Sequence, residues 1–257
     1  MFVLALCGGV ARAESGAPPD PDRALRVSQS VIGHAMGRYD VLDQLGRPID
    51  TASLAGKPLV VSYVYTGCFE VCPTTTRFLA DAVAAARKAL GADSFRIMTI
   101  GFNQPFDGPQ AMAAFARQNG IRDPEWLFVS PARERVNELL GDLGFTYTAT
   151  AKGFDHILQT TVLDARGVVY RQIYGDSFEL PMLIGPLKEL MTGAAVEAGG
   201  WEGLARRVKL FCTVYDPVTG GYRLNYSLFV ELFAGFSVCL AVIWIVVRER
   251  WRRPRAS

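Results

Sequence analysis

Histidine and net charge are both scarce in this sequence. Only His34 and His156 occur among the 257 residues, so a site that needs imidazole has two candidates. Lys and Arg number 27 and Asp and Glu number 25, which leaves a formal net charge of +2. Such a chain lacks the basic excess of nucleic-acid-binding proteins, and we expect no nucleic-acid partner. Internal repeats and low-complexity tracts are also missing, so a repeat architecture is not indicated.

Two of the five cysteines lie in the stretch around which the chain is organised. Residues 60–65 are mostly β-branched or aromatic, as in a strand that is buried on both faces. Cys68 and Cys72 follow, and residues 74–90 are rich in Ala, Leu and Arg, as in a helix. The thiols therefore lie where a strand leads into a helix N-terminus, whose dipole and free N–H groups favour thiolate. Such a site suits redox chemistry or soft-metal binding.

The N-terminal residues predict export from the cytoplasm. Residues 1–13 are apolar and end in Ala-Arg-Ala, an A-x-A pattern typical of a signal-peptide cleavage site. The basic residues that usually precede the apolar part are missing, so an ordinary disordered start is the alternative. We expect a signal peptide over 1–13 and a flexible linker over 14–38.

The C-terminal residues predict a membrane anchor. Residues 228–247 are almost wholly apolar, with Glu231 as their only charge, and about 20 such residues span a bilayer core. By the positive-inside rule, the Arg-rich tail 248–257 lies in the cytoplasm. We expect a transmembrane helix over 226–247, an inner-membrane location with a single pass, and the main domain on the periplasmic side. A connector over 194–225 joins the two, and a buried core helix is the alternative for 226–247.

This topology gives the cysteines different surroundings. Cys7 leaves with the signal peptide and Cys239 lies in the predicted span, so Cys68, Cys72 and Cys212 share an oxidising compartment. A domain large enough to bury a core does not need a structural staple, so the C-x-x-x-C pair is more typical of catalysis or metal binding than of a structural disulfide. Cys212 is a further redox partner, a thiol for an intermolecular bond or an ordinary half-buried residue of a strand.

The order of predicted elements indicates a thioredoxin-like α/β sandwich with a central mixed sheet over residues 39–193. A short hairpin and a helical turn precede the cysteine-bearing strand. Strands and helices then alternate before a hairpin and a last helix. The predicted ranges are 39–49 (hairpin), 51–54, 60–65, 74–90, 95–102, 110–119, 126–129, a helix that starts at Ser130-Pro131, an edge strand over 145–150, the hairpin strands 157–163 and 168–173, and the helix 180–191.

The spacing of the cysteines leaves two chemistries open. A C-x-x-x-C pair can close as a disulfide, or it can present two soft sulfurs to Cu(I), Zn or an Fe–S centre. His156 precedes a strand whose edge faces the cysteines in a thioredoxin-like sheet, and together they form an S₂N set that fits Cu(I), or Cu(II) with a further ligand. No Pro occurs between Thr146 and Thr161, where thiol oxidoreductases carry a cis-Pro. This favours metal binding.

Three other polar residues are weaker candidates for a part in this site. Asp155 either orients the imidazole of His156 or simply belongs to a turn. Glu70, between the cysteines, is expected to be solvated, and His34 is expected to have no part in the site.

At this point the sequence resembles the Sco/SenC family of membrane-anchored, thioredoxin-like copper-binding proteins. The match covers roughly residues 39–192. The resemblance implies that Cys68, Cys72 and His156 bind copper. It also implies a partner, the copper-bearing subunit of cytochrome c oxidase, whose binuclear site such proteins load or reduce. The residues that carry the resemblance are Tyr65, Thr66, Cys68, Val71, Cys72, Pro73, Asp155, His156, Leu163, Asp164 and Gly167.

The sequence also departs from that family's pattern. Phe69 stands where a Pro often follows the first cysteine, and Asn103 replaces the first of two acidic residues, of which Asp107 remains. The expected anchor is C-terminal rather than N-terminal. These differences leave the ligands intact but leave the partner open between cytochrome c oxidase and another copper enzyme.

Two functions therefore compete. The first is a copper chaperone without turnover, and the second is a thiol-disulfide oxidoreductase that acts on exported client proteins. A peroxidase is disfavoured, because peroxiredoxin-like sites place a Thr three residues before the reactive cysteine and Thr66 lies two residues before Cys68.

Overall fold

The computed structural model describes residues 20–197, 213–216 and 221–224 and the single positions 237, 244 and 248. The elements, in chain order, are α1 (Pro21–Ser30), β1 (Asp40–Leu42), β2 (Pro48–Asp50), a 3-10 helix (Thr51–Leu54), β3 (Leu59–Val64), α2 (Val71–Leu90), β4 (Arg96–Gly101), α3 (Pro109–Gln118), β5 (Trp126–Pro131), α4 (Val136–Asp142), β6 (Tyr147–Thr150), β7 (Gly153–His156), β8 (Gln159–Leu163), β9 (Val169–Tyr174), α5 (Leu180–Glu197), β10 (Thr213–Asp216) and β11 (Gly221–Leu224).

A seven-stranded mixed sheet in the order β2-β1-β5-β4-β3-β8-β9 forms the centre of the domain. Strand β3 runs parallel to β4 and antiparallel to β8. Its side chains alternate between two apolar clusters. Val60 and Val64 pack with α2, α3 and α5, whereas Val61 and Tyr63 pack with α4 on the opposite face. Both faces of β3 are therefore covered, which confirms the predicted α/β sandwich with a central mixed sheet.

The N-terminal boundary differs from the predicted linker over 14–38. Asp20 caps α1 by accepting hydrogen bonds from the N–H groups of Asp22 and Arg23, and Pro21 occupies the first turn. The hydroxyl groups of Ser28 and Tyr174 lie 2.8 Å apart, which ties α1 to β9. The ordered domain thus begins well before residue 39.

The predicted helix start at Ser130-Pro131 is wrong. Both residues belong to β5, where Pro131 pairs with Val41 and Ser130 pairs with Leu42 of β1. The Ser130 hydroxyl donates to the carbonyl of Asp107 instead of capping a helix, and α4 begins only at Val136. The Ser130 hydroxyl therefore makes a hydrogen bond to a residue distant in sequence, and it does not form the helix cap that the local pattern predicts.

The predicted transmembrane helix is also corrected. Within the part of the chain that the structure describes, no helix combines the length and the apolar character needed to cross a bilayer. The longest described helix, α2, carries Arg77, Asp81, Arg87 and Lys88. The predicted span 226–247 lies outside the described residues except for positions 237 and 244, as do the predicted signal peptide, Cys7, Cys212 and Cys239. The fold class is the thioredoxin-like α/β domain, and no membrane anchor is assigned to it.

Candidate functional site

The two cysteines meet where β3 leads into α2, as the sequence predicts. Cys68 lies in the loop of residues 65–70, hereafter the cysteine loop, and Cys72 lies in the first turn of α2. Both are free thiols, and the Cys72 N–H donates to the Cys68 sulfur at 3.3 Å. Cys68 is half-buried and Cys72 is only 3 % exposed. One thiol is therefore accessible, and the second is held directly behind it.

The surroundings of Cys68 favour its thiolate. Burial is the largest single influence and acts to raise the pKa of Cys68, but several hydrogen bonds outweigh it. They come from the backbone N–H groups of Cys72 and Glu70 and from the side chains of Cys72 and Tyr65. The pKa of Cys68 consequently lies below its ordinary value, as expected for a thiol near a helix N-terminus.

Cys72 has the opposite tendency. Burial raises the pKa of Cys72 to about 12, and the nearby Cys68 sulfur adds to this effect. Cys72 therefore stays protonated at neutral pH unless a metal ion or a disulfide bond takes the place of its proton.

We predict a large difference in alkylation rate between the two thiols. In the reduced, metal-free protein at neutral pH, iodoacetamide should label Cys68 at least about 100-fold faster than Cys72, because only the thiolate attacks and Cys72 is both buried and protonated. Peptide mass spectrometry over a time course measures both rates. In a Cys68→Ser variant, Cys72 should remain slow. Equal rates in the native protein would contradict this description of the thiols.

Asp107, the acidic residue that remains from the family pattern, fastens the cysteine loop. Its side chain is fully buried. One carboxylate oxygen accepts from the N–H and the hydroxyl of Thr66 at 2.8 and 2.7 Å, and the other accepts from the N–H of Asn103 at 2.8 Å. Burial raises the pKa of Asp107, and these hydrogen bonds oppose the shift. Asp107 thus joins the loop after β4 to the residue two positions before Cys68.

Replacing Asp107 with Asn should destabilise the domain. The amide has only one oxygen, so its NH₂ group would face either Thr66 or the Asn103 N–H and leave a buried donor unpaired, at a cost of about 1–3 kcal/mol. Urea unfolding of the variant measures the loss. Asp81→Asn removes the same charge from an exposed position on α2 and should leave stability unchanged. Equal stability of the Asp107 variant and the wild type would mean that the hydrogen bonds of Asp107 to Thr66 and Asn103 do not stabilise the domain.

His156 is oriented by its own backbone neighbour. Its Nδ1 lies 3.0 Å from the carbonyl oxygen of Ile157. Since a carbonyl only accepts, Nδ1 carries the proton and Nε2 keeps its lone pair. The ring packs against Phe102 and Phe145, with centroids 5.6 and 5.2 Å away. Burial lowers the pKa of His156, so its imidazole is neutral at neutral pH and able to ligate a metal.

The strand that carries His156 was missed by the sequence analysis. His156 ends β7, which pairs with β6 in a separate two-stranded hairpin, with Tyr147 opposite His156. The predicted edge strand over 145–150 is thus half of a hairpin that returns through Gly153. The signal that indicates this hairpin is the Lys152-Gly153 turn between two short polar-aromatic segments.

The predicted ligands are only partly assembled in the structure. The cysteines lie together, but among the described residues no three His, Cys, Asp or Glu side chains lie close enough to one another to hold a metal ion. Bringing His156 to the cysteines therefore requires a movement of the cysteine loop or of the β6–β7 hairpin.

The remaining candidates lie at the edge of this site or away from it. Asp155 is exposed on β7 and is not the acceptor for the imidazole N–H, which goes to Ile157. Glu70 is exposed at the start of α2 and contributes its backbone N–H to Cys68. His34 is exposed between α1 and β1, on a segment that pairs with the β8–β9 turn. Phe69 is 94 % exposed between the cysteines, so its ring leaves Cys68 open to solvent.

The fold resembles solved structures of Sco proteins. The SCO1/SenC family lipoprotein from Bacillus anthracis is 20% identical with a TM-score of 0.56, and the match covers 62% of this chain and 95% of that one. ScoI from Bradyrhizobium japonicum, solved with copper bound, is 21% identical with a TM-score of 0.51 and coverages of 61% and 99%. BsSco, of the Sco family of cytochrome c oxidase assembly proteins, is 18% identical with a TM-score of 0.54 and coverages of 62% and 94%.

The sequence comparisons identify the family directly. No curated protein matches the chain closely enough to count as a relative. The SCO1/SenC family, however, matches residues 28–191, which is more than half of the chain and includes both cysteines and His156. With its cysteine pair at the β3–α2 junction of a thioredoxin-like domain, this chain belongs to the SCO1/SenC family.

Proposed function

We propose that the protein is a copper chaperone that binds one Cu(I) through Cys68, Cys72 and His156. The observation that carries the proposal is the hydrogen bond from His156 Nδ1 to the Ile157 carbonyl, which leaves the lone pair of Nε2 free to bind a metal ion. Two thiolates and an imidazole are donors that suit Cu(I). Copper is the cargo here, and copper-bound structures of other Sco proteins support this choice.

The two thiols have separate parts in copper loading. Cys68, with its lowered pKa and open side, meets the ion first. Cys72 then exchanges its proton for the metal, because its high pKa disfavours an unpaired thiolate but not a metal-bound one. Loading therefore releases at least one proton, and transfer to an acceptor proceeds from the exposed Cys68 side.

We propose the copper-bearing subunit of cytochrome c oxidase as the acceptor, with another copper enzyme as the alternative. The assignment of BsSco to a family of cytochrome c oxidase assembly proteins supports this choice. We also propose that the domain works on the periplasmic side, which the predicted export signal favours. Labelling of Cys68 in intact cells by a thiol reagent that cannot cross the inner membrane tests that location, and labelling only after lysis would exclude it.

A thiol-disulfide oxidoreductase is the second candidate. The paired thiols favour it, since a low-pKa attacking thiol backed by a buried partner is the arrangement of an exchange site. In that reaction Cys68 attacks a client disulfide, Cys72 resolves the mixed disulfide, and the client leaves with two thiols. The protein is oxidised to its own disulfide and needs an external dithiol reductant to act again.

Anaerobic titration of the full chain with Cu(I), in competition with a chromophoric chelator, tests the chaperone proposal. The expected stoichiometry is one Cu(I) per chain, unchanged in a Cys212→Ser variant. Copper-loaded protein should then pass its ion to a soluble copper-binding domain of the oxidase subunit. A protein that exchanges disulfides but holds no copper against the chelator would overturn the proposal in favour of the oxidoreductase.

A further inference from the structure

Tyr65 connects the two halves of the proposed copper site. It follows β3 directly and opens the cysteine loop, where its carbonyl accepts from the Cys68 N–H at 3.0 Å. Its ring tip extends the other way, to Gly153 and Phe154 of the β6–β7 hairpin. Tyr65 therefore contacts the cysteine loop and the β6–β7 hairpin at the same time.

The hairpin is shaped to receive this side chain. A Cβ built on Gly153 would lie 2.5 Å from the Tyr65 hydroxyl oxygen, so the ring tip fills the space that any other residue would occupy. Gly153 also has a φ of +122°, which favours glycine there. The Tyr65 ring packs edge-on against Phe154, with centroids 5.1 Å apart. The hairpin thus lies against Tyr65 two to three residues before His156.

The position of Tyr65 has a consequence for His156. The cysteines and His156 are not yet close enough to hold one ion, and Tyr65 is a contact that both sides share. A tether at this point limits how far the hairpin can move from Cys68. It therefore lowers the conformational entropy that is lost when His156 is brought to the two cysteines. Without the hydroxyl, the hairpin would keep its packing against the ring but lose the contact between the hydroxyl and Gly153.

We propose that the Tyr65 hydroxyl is a positioning group that holds the His156 hairpin in register with Cys68, so that His156 can complete the copper ligand set. The proposal rests on the proposed copper-binding function. The role of Tyr65 differs from that of a ligand, since Tyr65 acts through His156. Its removal should weaken copper binding by about 10- to 100-fold, the usual effect of losing a partner that orients a metal ligand.

A double-mutant cycle tests this role. The Cu(I) affinity of the full chain is measured for the wild type, Tyr65→Phe, His156→Ala and the double variant. If Tyr65 acts through His156, Tyr65→Phe costs about 10- to 100-fold in the wild type and at least tenfold less in the His156→Ala background. An equal loss in both backgrounds, or none in the wild type, would overturn the proposal.

A matched control separates the hydroxyl from general ring packing. Tyr170 lies on β9, outside the hairpin and the cysteine loop, and its hydroxyl donates to Glu189 of α5 at 2.5 Å. Tyr170→Phe removes the same atom and should leave the Cu(I) affinity unchanged. Failure of the wild type to bind Cu(I) would defeat the proposed function itself, whereas wild-type binding with an unaffected Tyr65→Phe variant would defeat only the role of Tyr65.

Discussion

Replacing Cys68 with Ser is expected to abolish stoichiometric copper binding. A serine hydroxyl is a hard, protonated donor that does not replace a thiolate toward Cu(I). Cys72 cannot compensate, because it is buried and its pKa is raised to about 12. The fold should persist, since Cys68 lies in a loop and is only partly buried against the edge of an apolar cluster. Metal analysis after desalting under anaerobic conditions measures the copper that each chain retains.

The same variant must be compared with a substitution of a cysteine that is not a proposed ligand. Cys212→Ser removes one thiol from the full chain and should leave one copper per chain in place. Cys68→Ser should also lose the ability to form an internal disulfide, which counting of free thiols after mild oxidation detects. One copper retained by the Cys68 variant, or its loss in the Cys212 variant, would contradict the assignment of the ligands.

Replacing His156 with Ala is expected to separate copper binding from thiol chemistry. The loss of a direct ligand should exceed the roughly 10- to 100-fold loss that follows removal of an orienting partner, so the Cu(I) affinity should fall more than 100-fold. The hydrogen-bond donors that stabilise the Cys68 thiolate do not include His156, so alkylation of Cys68 and exchange with a small disulfide should proceed at nearly the wild-type rate. Chelator competition and an exchange assay on the same preparation measure the two effects.

His34→Ala is the matched control for that variant. It removes the other histidine, at an exposed position between α1 and β1, and should leave both activities intact. Because the His156 ring packs against Phe102 and Phe145, the unfolding midpoint of the His156 variant is recorded as well. A folded His156→Ala protein with wild-type copper affinity would mean that Cys68 and Cys72 hold copper without this imidazole.

The central strand and the cysteine site were predictable because their signals are local. An apolar, β-branched run followed by Gly and a helix-forming segment predicts a buried strand that ends at a helix N-terminus, and β3 and α2 follow that pattern. Helix α2 begins at Val71, three residues earlier than predicted, which places Cys72 inside its first turn. This detail matters because the early helical turn brings the Cys72 N–H to the Cys68 sulfur.

The rest of the site depends on contacts that are distant in sequence. Asp107 holds Thr66 across 41 positions, and Ser130 gives its hydroxyl to the Asp107 carbonyl rather than to a helix. The packing of Tyr65 on Gly153 joins residues almost ninety positions apart. Neither the hydrophobic periodicity of the sequence nor the spacing of its motifs indicates which distant residues are in contact. The predicted transmembrane helix has no counterpart in the described part of the chain, where no helix is long and apolar enough to cross a bilayer.

X-ray absorption spectroscopy of the Cu(I)-loaded full chain tests the central claim most directly, because it reports the ligands of the ion itself. Two sulfur scatterers and one nitrogen scatterer are expected for the wild type, and the nitrogen signal should disappear in His156→Ala and persist in His34→Ala. A first shell of sulfur alone in the wild type, or a nitrogen signal that survives in His156→Ala, would contradict a copper site built from Cys68, Cys72 and His156.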